Sequence, residues 1–192
     1  MYEQTRRSWH GLAELVLAGP QHRRSGTIRL RIVDGGFATV AEPQLSVVGN
    51  RSGDVTLDGL TYAEVADRVG VDVGAPVGVY SDGSGAQPDD RIEVPDAAVL
   101  GAAFNRGDAA LRAFAPDQTP VLWPEHFDVG IIVDECNYGV SLGDSAIDEP
   151  YAYVGPWKPR TGDFWNVPFG AARRLRDLDD VAAFFAEGRA NL

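Results

Sequence analysis

Apolar residues recur at helical spacing near the start of the chain. Trp9, Leu12, Leu15 and Val16 fall on one stripe, and Gly19-Pro20 is expected to stop that helix. The period then changes. In "TIRLRIV" (27–33), Ile28, Leu30 and Ile32 point one way and Arg29 and Arg31 the other, the pattern of a strand with one wet face. Asp34-Gly35-Gly36 is a hairpin turn signal, and "FATV" (37–40) reads as the returning strand. "LSVV" (45–48) and "VTL" (55–57) follow as strands around "GNRSGD". Thr61 and Glu64 form a capping box, opening a helix to about Val69 with Gly70 as its left-handed end.

The middle of the chain is looser: "PVGVY" (76–80) reads as a short strand leading into the loop "SDGSGAQPDD". The second half then repeats the plan. Asp96 to Phe114 is helical, with a break expected at Asn105-Arg106-Gly107 and a fresh cap at Asp108. "FDVGIIVDE" (127–135), "YGVSL" (138–142) and "YAYVG" (151–155) read as strands. A last helix, capped by Asp177 or Asp179, carries Leu178, Val181, Ala182 and Phe185 on one face. Strands gathered into blocks, rather than alternating with helices, predict an α+β fold with an antiparallel β-sheet and packed helices. The order helix-strands-helix occurs twice, over pseudo-halves 1–95 and 96–192 of one expected domain, with no residue-level repeat between them.

Composition narrows the classes of partner. The 192 residues are 44% hydrophobic and 23% charged, enough apolar material for a core without disulfide or metal staples. A net charge of −11 argues against nucleic acid and against an anionic membrane surface as partners, since both demand a basic footprint. One cysteine, Cys136, permits no internal disulfide and fits a reducing compartment. Arg6-Arg7 is not read as an export signal, because the apolar stretch after it is short and carries Glu14. A cytoplasmic location is the expectation.

Gly139-Val140-Ser141-Leu142-Gly143 fits the G-x-S-x-G pattern of serine hydrolases. A nucleophile elbow requires a helix directly after the serine, and "GDSAIDEP" leaves no room for one. His10, His22 and His126 all precede Ser141, whereas the triad histidine of that fold follows it. Ser141 is therefore read as a strand serine. Asp82, Ser84, Asp90 and Glu93 partly match a calcium loop, but Gln87 stands where the turn needs glycine. Phosphate-loop, dinucleotide and zinc motifs do not occur, so no cofactor and no metal are expected.

The segment "LWPEHFDVGIIVDE" (122–135) carries the strongest chemical signal. Alternation puts Phe127, Val129, Ile131 and Val133 on the core face, and His126, Asp128, Gly130, Ile132 and Asp134 on the other. A carboxylate beside a histidine can hold its tautomer or raise its pKa, as general acid–base chemistry and metal binding both require. Trp123, Tyr138, Tyr151, Tyr153, Trp157, Phe164 and Trp165 gather in the same half, with "GPWKPRTGDFWNVP" (155–168) as a long punctuated loop. Such aromatics suit the walls of a small-molecule pocket, a lid over a core, or a homodimer surface.

The succession "LWPEHFD", "NYGVSLGD", "EPYAYVGPW" and "FWN" resembles the C-terminal part of an uncharacterised bacterial family known as a domain of unknown function. The shared features are an H-F-D-like strand start, a glycine-containing segment and a Tyr-x-Tyr strand. The resemblance is clearest over about residues 121–170, fainter around "WHGLAELVLAG" and "TIRLRI", and departs at "PQHRRSG". That family has no activity to transfer. The resemblance directs attention to His126, Asp128, Tyr151, Tyr153, Trp157 and Trp165.

Three functional readings follow. The first is a soluble, self-associating protein that binds a small ligand or a protein partner on the aromatic C-terminal half, through Trp123, His126, Asp128, Tyr151, Tyr153, Trp157 and Trp165. The second is an enzyme with His126 as general acid or base, oriented by Asp128. The third is a structural module within a larger assembly.

Overall fold

The computed structural model describes residues 1–192. Ten strands form one antiparallel sheet in the order β10-β9-β8-β7-β6-β1-β2-β3-β4-β5. Strands β1 (Leu30–Val33), β2 (Gly36–Thr39), β3 (Ser46–Val48), β4 (Arg51–Ser52) and β5 (Val55–Thr56) are one meander. Strands β6 (Val121–Trp123), β7 (Asp128–Val133), β8 (Cys136–Ser141), β9 (Tyr151–Pro156) and β10 (Ala171–Arg174) are the other. The meanders grow outward in opposite directions from the β1–β6 pair, where Leu30 opposes Leu122. Each has a helix before it and a helix after it: α1 (Tyr2–Gly11) through α2 (Gly19–Ser25), then α3 (Tyr62–Val69), in the first half; α4 (Ala97–Phe114), then α5 (Val181–Ala190), in the second. No helix is long and apolar enough to cross a membrane.

Alternation along the strands sorts their side chains between two faces. Val129, Ile131, Tyr138, Val140, Ala152 and Val154 form the inner face of the second meander and join a core that also takes in Trp9, Phe37, Phe104 and Phe185. Helices α4 and α5 lie against that face. Cys136 is buried there too, and desolvation pushes its thiol pKa up.

The first helix does not stop at Gly19-Pro20. A π-helical stretch (Leu12–Ala18) joins α1 to α2, and the helix ends where Gly26 turns left-handed at φ 75°. In the wider turn Gly19 N–H bonds to Glu14 O, so Pro20 interrupts no bond that the geometry requires. Leu15 O instead accepts from Gly74 N–H at 2.9 Å. A side chain at Gly19 would overlap Gly74 O, so this contact admits glycine alone.

Helix α4 is likewise unbroken, because each residue expected to interrupt it has a tertiary role. Asn105 accepts from Gly35 N–H at 3.3 Å and donates to Asp34 at 2.8 Å. Arg106 donates to the carbonyl of Leu175 at 2.7 Å and to that of Leu178. A Cβ at Gly107 would stand 2.8 Å from Val140 Cβ, so its absence lets the helix close onto β8. Asp108 pairs with Arg112 at 2.8 Å rather than capping a new helix. "PVGVY" is irregular chain rather than a strand. The last helix is capped by Asp180, not Asp177 or Asp179, since the oxygen at that position reaches Ala183 N–H at 3.0 Å.

Candidate functional site

The outer face of β7, β8 and β9 lies opposite the one that α4 and α5 cover. Register decides which side chains meet there. Trp123, Asp128, Ser141 and Tyr151 form one cross-strand row. Gly130, Gly139 and Tyr153 form the next, and Ile132, Asn137 and Gly155 a third. The glycines have a specific use. A Cβ at Gly139 would run into the Tyr153 ring, and one at Gly130 would stand 3.2 Å from its hydroxyl. Two bare positions let Tyr153 lie across the sheet and donate its O–H to Asp128 Oδ2.

Two adjoining cavities of about 640 and 280 Å³ open on this face and share His126, Asp128, Asn137 and Tyr153. Ser141, Asp144, Tyr151, Trp157 and Phe169 complete much of the larger one, while Trp123 and Glu125 line the smaller. Six of the seven residues singled out in the sequence thus border one continuous hollow. Trp165 does not. It packs edge-to-face on Phe164, 4.9 Å between centroids, and Phe164 belongs to the core around α5. Trp123 is held at the far end beneath the Arg29 guanidinium, 5.6 Å from the ring centroid.

The expected His126–Asp128 pair is not formed. Residues Pro124 to Phe127 make a turn, and Phe127 takes a positive φ of 51°, so the strand begins only at Asp128. His126 is 72% exposed at the cavity rim, and its closest charged neighbour is Glu125 at 3.9 Å. Helix α1 secures the turn from beneath. His10 Nε2 donates to Pro124 O at 2.6 Å, and the His10 ring stacks on Phe127 at 5.1 Å. The same helix holds the end of β8, where the Tyr2 hydroxyl donates to Leu142 O at 2.6 Å and Arg6 donates to Gly143 O.

The two carboxylates of the larger cavity differ in kind. Asp144 accepts from Ala146 N–H at 2.7 Å, Ile147 N–H at 3.0 Å and the Tyr151 hydroxyl at 2.6 Å. Partial burial alone would raise its pKa. Those three donors, with Arg6 nearby, outweigh it and hold Asp144 below the usual carboxylate range, a fixed anion. Asp128 is buried, 8% exposed, and burial raises its pKa despite the Tyr153 hydroxyl and the more distant His126. Its Oδ1 is closed off from solvent and has no hydrogen-bond partner. Burial and the adjoining carboxylates also raise Tyr151 and Tyr153 above the ordinary tyrosine value, so both remain neutral donors.

Ser141 is a strand residue whose Oγ accepts from Gly143 N–H at 3.1 Å, with no helix following. It lines the cavity all the same, as do Asn137, Asp144 and Phe169, which sequence reasoning did not place there. Alternation along β8 was an available signal for two of them, since it puts Asn137, Gly139 and Ser141 on one face. Three or more metal-ligating side chains do not converge anywhere in the chain. The chain matches no protein-family model, no curated protein and no solved structure.

Proposed function

We propose that this protein binds a small organic ligand on the outer face of β7–β9, with Asp128 on the floor and Tyr151, Tyr153, Trp157 and Phe169 as walls. The observation that carries this reading is the unpartnered Oδ1 of buried Asp128 beside an aromatic-lined cavity of about 640 Å³. A buried polar atom without a partner costs about 1–3 kcal/mol, and such a cost is commonly retained where a ligand makes the missing contact. The volume suits a metabolite-sized molecule. Trp157, 58% exposed and bonded through its indole N–H to Asn137 at 3.3 Å, supplies a stacking surface at the mouth.

The test is a metabolite screen by thermal stabilisation, followed by titration calorimetry. Ligands should raise the melting temperature of the native chain and lose most of their affinity in Asp128→Ala and Trp157→Ala. A screen without a hit, or hits indifferent to both variants, would refute the proposal.

An enzymatic reading with His126 as acid or base has one observation in its favour, its place on the rim of both cavities. Without a bond to Asp128 it has no fixed orientation, so ligand binding is the better-supported reading. The structural-module reading draws on exposed Ile132 and Trp157 beside the same hollow, which would also serve a homodimer contact. The single buried cysteine supports a cytoplasmic setting.

A further inference from the structure

We infer that the ligand is an organic cation, an amine or quaternary ammonium on a compact apolar frame, with the Asp128 carboxylate as its counter-charge. This rests on the ligand-binding reading above and adds the chemical class. The larger cavity has two carboxylates on its wall and neither a lysine nor an arginine. The one basic side chain on its lining is His126, exposed at the rim and 3.9 Å from Glu125, while Arg6 is engaged with Gly143 O and Arg174 with Glu149 at 2.7 Å. Asp128 therefore stays buried with one neutral hydroxyl donor and no cation in contact. A buried carboxylate in that state lacks a positive partner, and an incoming ammonium supplies both the charge and the N–H donors.

The walls point the same way. Tyr151 and Tyr153 stand 6.3 Å apart between ring centroids, and Tyr151 and Phe169 stand 6.4 Å apart. Aromatic faces carry the negative lobe of the ring quadrupole, and several around one space favour a cation over a neutral group of equal shape. An anionic ligand would meet Asp144, already a fixed anion, and would find neither lysine nor arginine on the wall. A neutral sugar could stack on Trp157 but would leave Asp128 uncompensated. The protein's net charge of −11 adds a long-range field that draws cations inward. Oδ1 is closed off from solvent, so contact with it requires local movement of the cavity wall.

The experiment pairs cations with neutral isosteres of the same shape. Choline is compared with 3,3-dimethylbutan-1-ol, and benzylamine with benzyl alcohol, with methyl glucoside as a polyol control. Binding is read from titration calorimetry and from amide shifts of residues 126–157 in the native chain. Each cation should bind at least about tenfold more tightly than its isostere. In Asp128→Asn, which keeps the side-chain shape, that preference should shrink to about twofold, with melting curves confirming that the variant folds. Equal binding of cation and isostere, or tighter binding of the glucoside, would overturn the charge assignment and leave the ligand-binding reading intact. Silence of this face toward every probe, and toward the metabolite screen, would overturn both.

Discussion

Glu14 and Asp128 are both buried carboxylates, one in each half of the chain, and their surroundings are opposite. Glu14 sits in the π-helical stretch, 3% exposed, and accepts from Ser84 N–H at 2.7 Å. The backbone at Gly83 lies so close to its other oxygen that a side chain there would overlap it. Neither oxygen is left both buried and unpartnered. Glu14 therefore fastens the irregular segment around Gly83 and Ser84 to the first helix. Asp128 lies at the end of a strand, under two cavities, with one oxygen partnerless. Burial of a charge does not by itself mark a functional site. What distinguishes Asp128 is an unmet partner beside open space.

If that contrast is right, the two residues respond differently to substitution. The largest effect is expected at Glu14→Ala, which strands the Ser84 amide and opens a void. It should cost about 2–3 kcal/mol in urea or thermal unfolding, with Glu14→Gln losing less. Asp144→Asn comes next. It gives up charge-assisted bonds from Tyr151, Ala146 and Ile147, and, because water screens this exposed carboxylate, should cost at most about 1 kcal/mol near neutral pH. Because the folded pKa of Asp144 is lowered, its stabilisation is present above the ordinary aspartate value. It is lost as pH falls through the lowered one, so the variant and the native chain should converge in acid.

Asp128→Asn should act with the opposite sign. The folded pKa of Asp128 is raised, so its contribution is complete below the ordinary aspartate value and declines as pH rises through the raised one. The asparagine escapes that decline. It should stabilise the protein by about 1 kcal/mol near pH 8, a gain that fades toward pH 4, while weakening ligand binding. A loss of stability at every pH would place Asp128 with Glu14 as a structural group. The smallest change in stability, within about 0.5 kcal/mol, is expected for Trp157→Ala, because the indole is mostly exposed. Its effect should fall on ligand affinity, measured by calorimetry.

Much of the second meander was legible because alternation between core and outer face runs without interruption from Phe127 to Val133. That pattern placed Asp128 and Ile132 on the correct face. It failed one step upstream, at His126, because the positive φ of Phe127 turns the chain before the strand begins. Ser141, read only as a strand serine, and Asn137 were not joined to Asp128 for a different reason. Alternation puts both on one face of β8, but only pairing between β7 and β8 brings that face beside Asp128. Trp165 covers the core rather than walling the cavity, and composition alone, which leaves both readings open, cannot tell the two apart.

By itself the sequence determined the periodic elements, the antiparallel α+β class and the gathering of aromatics around one acidic strand, since each follows from local alternation, capping and turn chemistry. Tertiary structure decided the rest. Pairing between strands brought Asp128, Ser141 and Tyr151 into one row, and two facing glycines let Tyr153 reach Asp128. A helix packed from the other half held the turn that carries His126. The physical reason is that a residue's face is a local property, whereas its partners are set by register and packing between segments far apart in the chain.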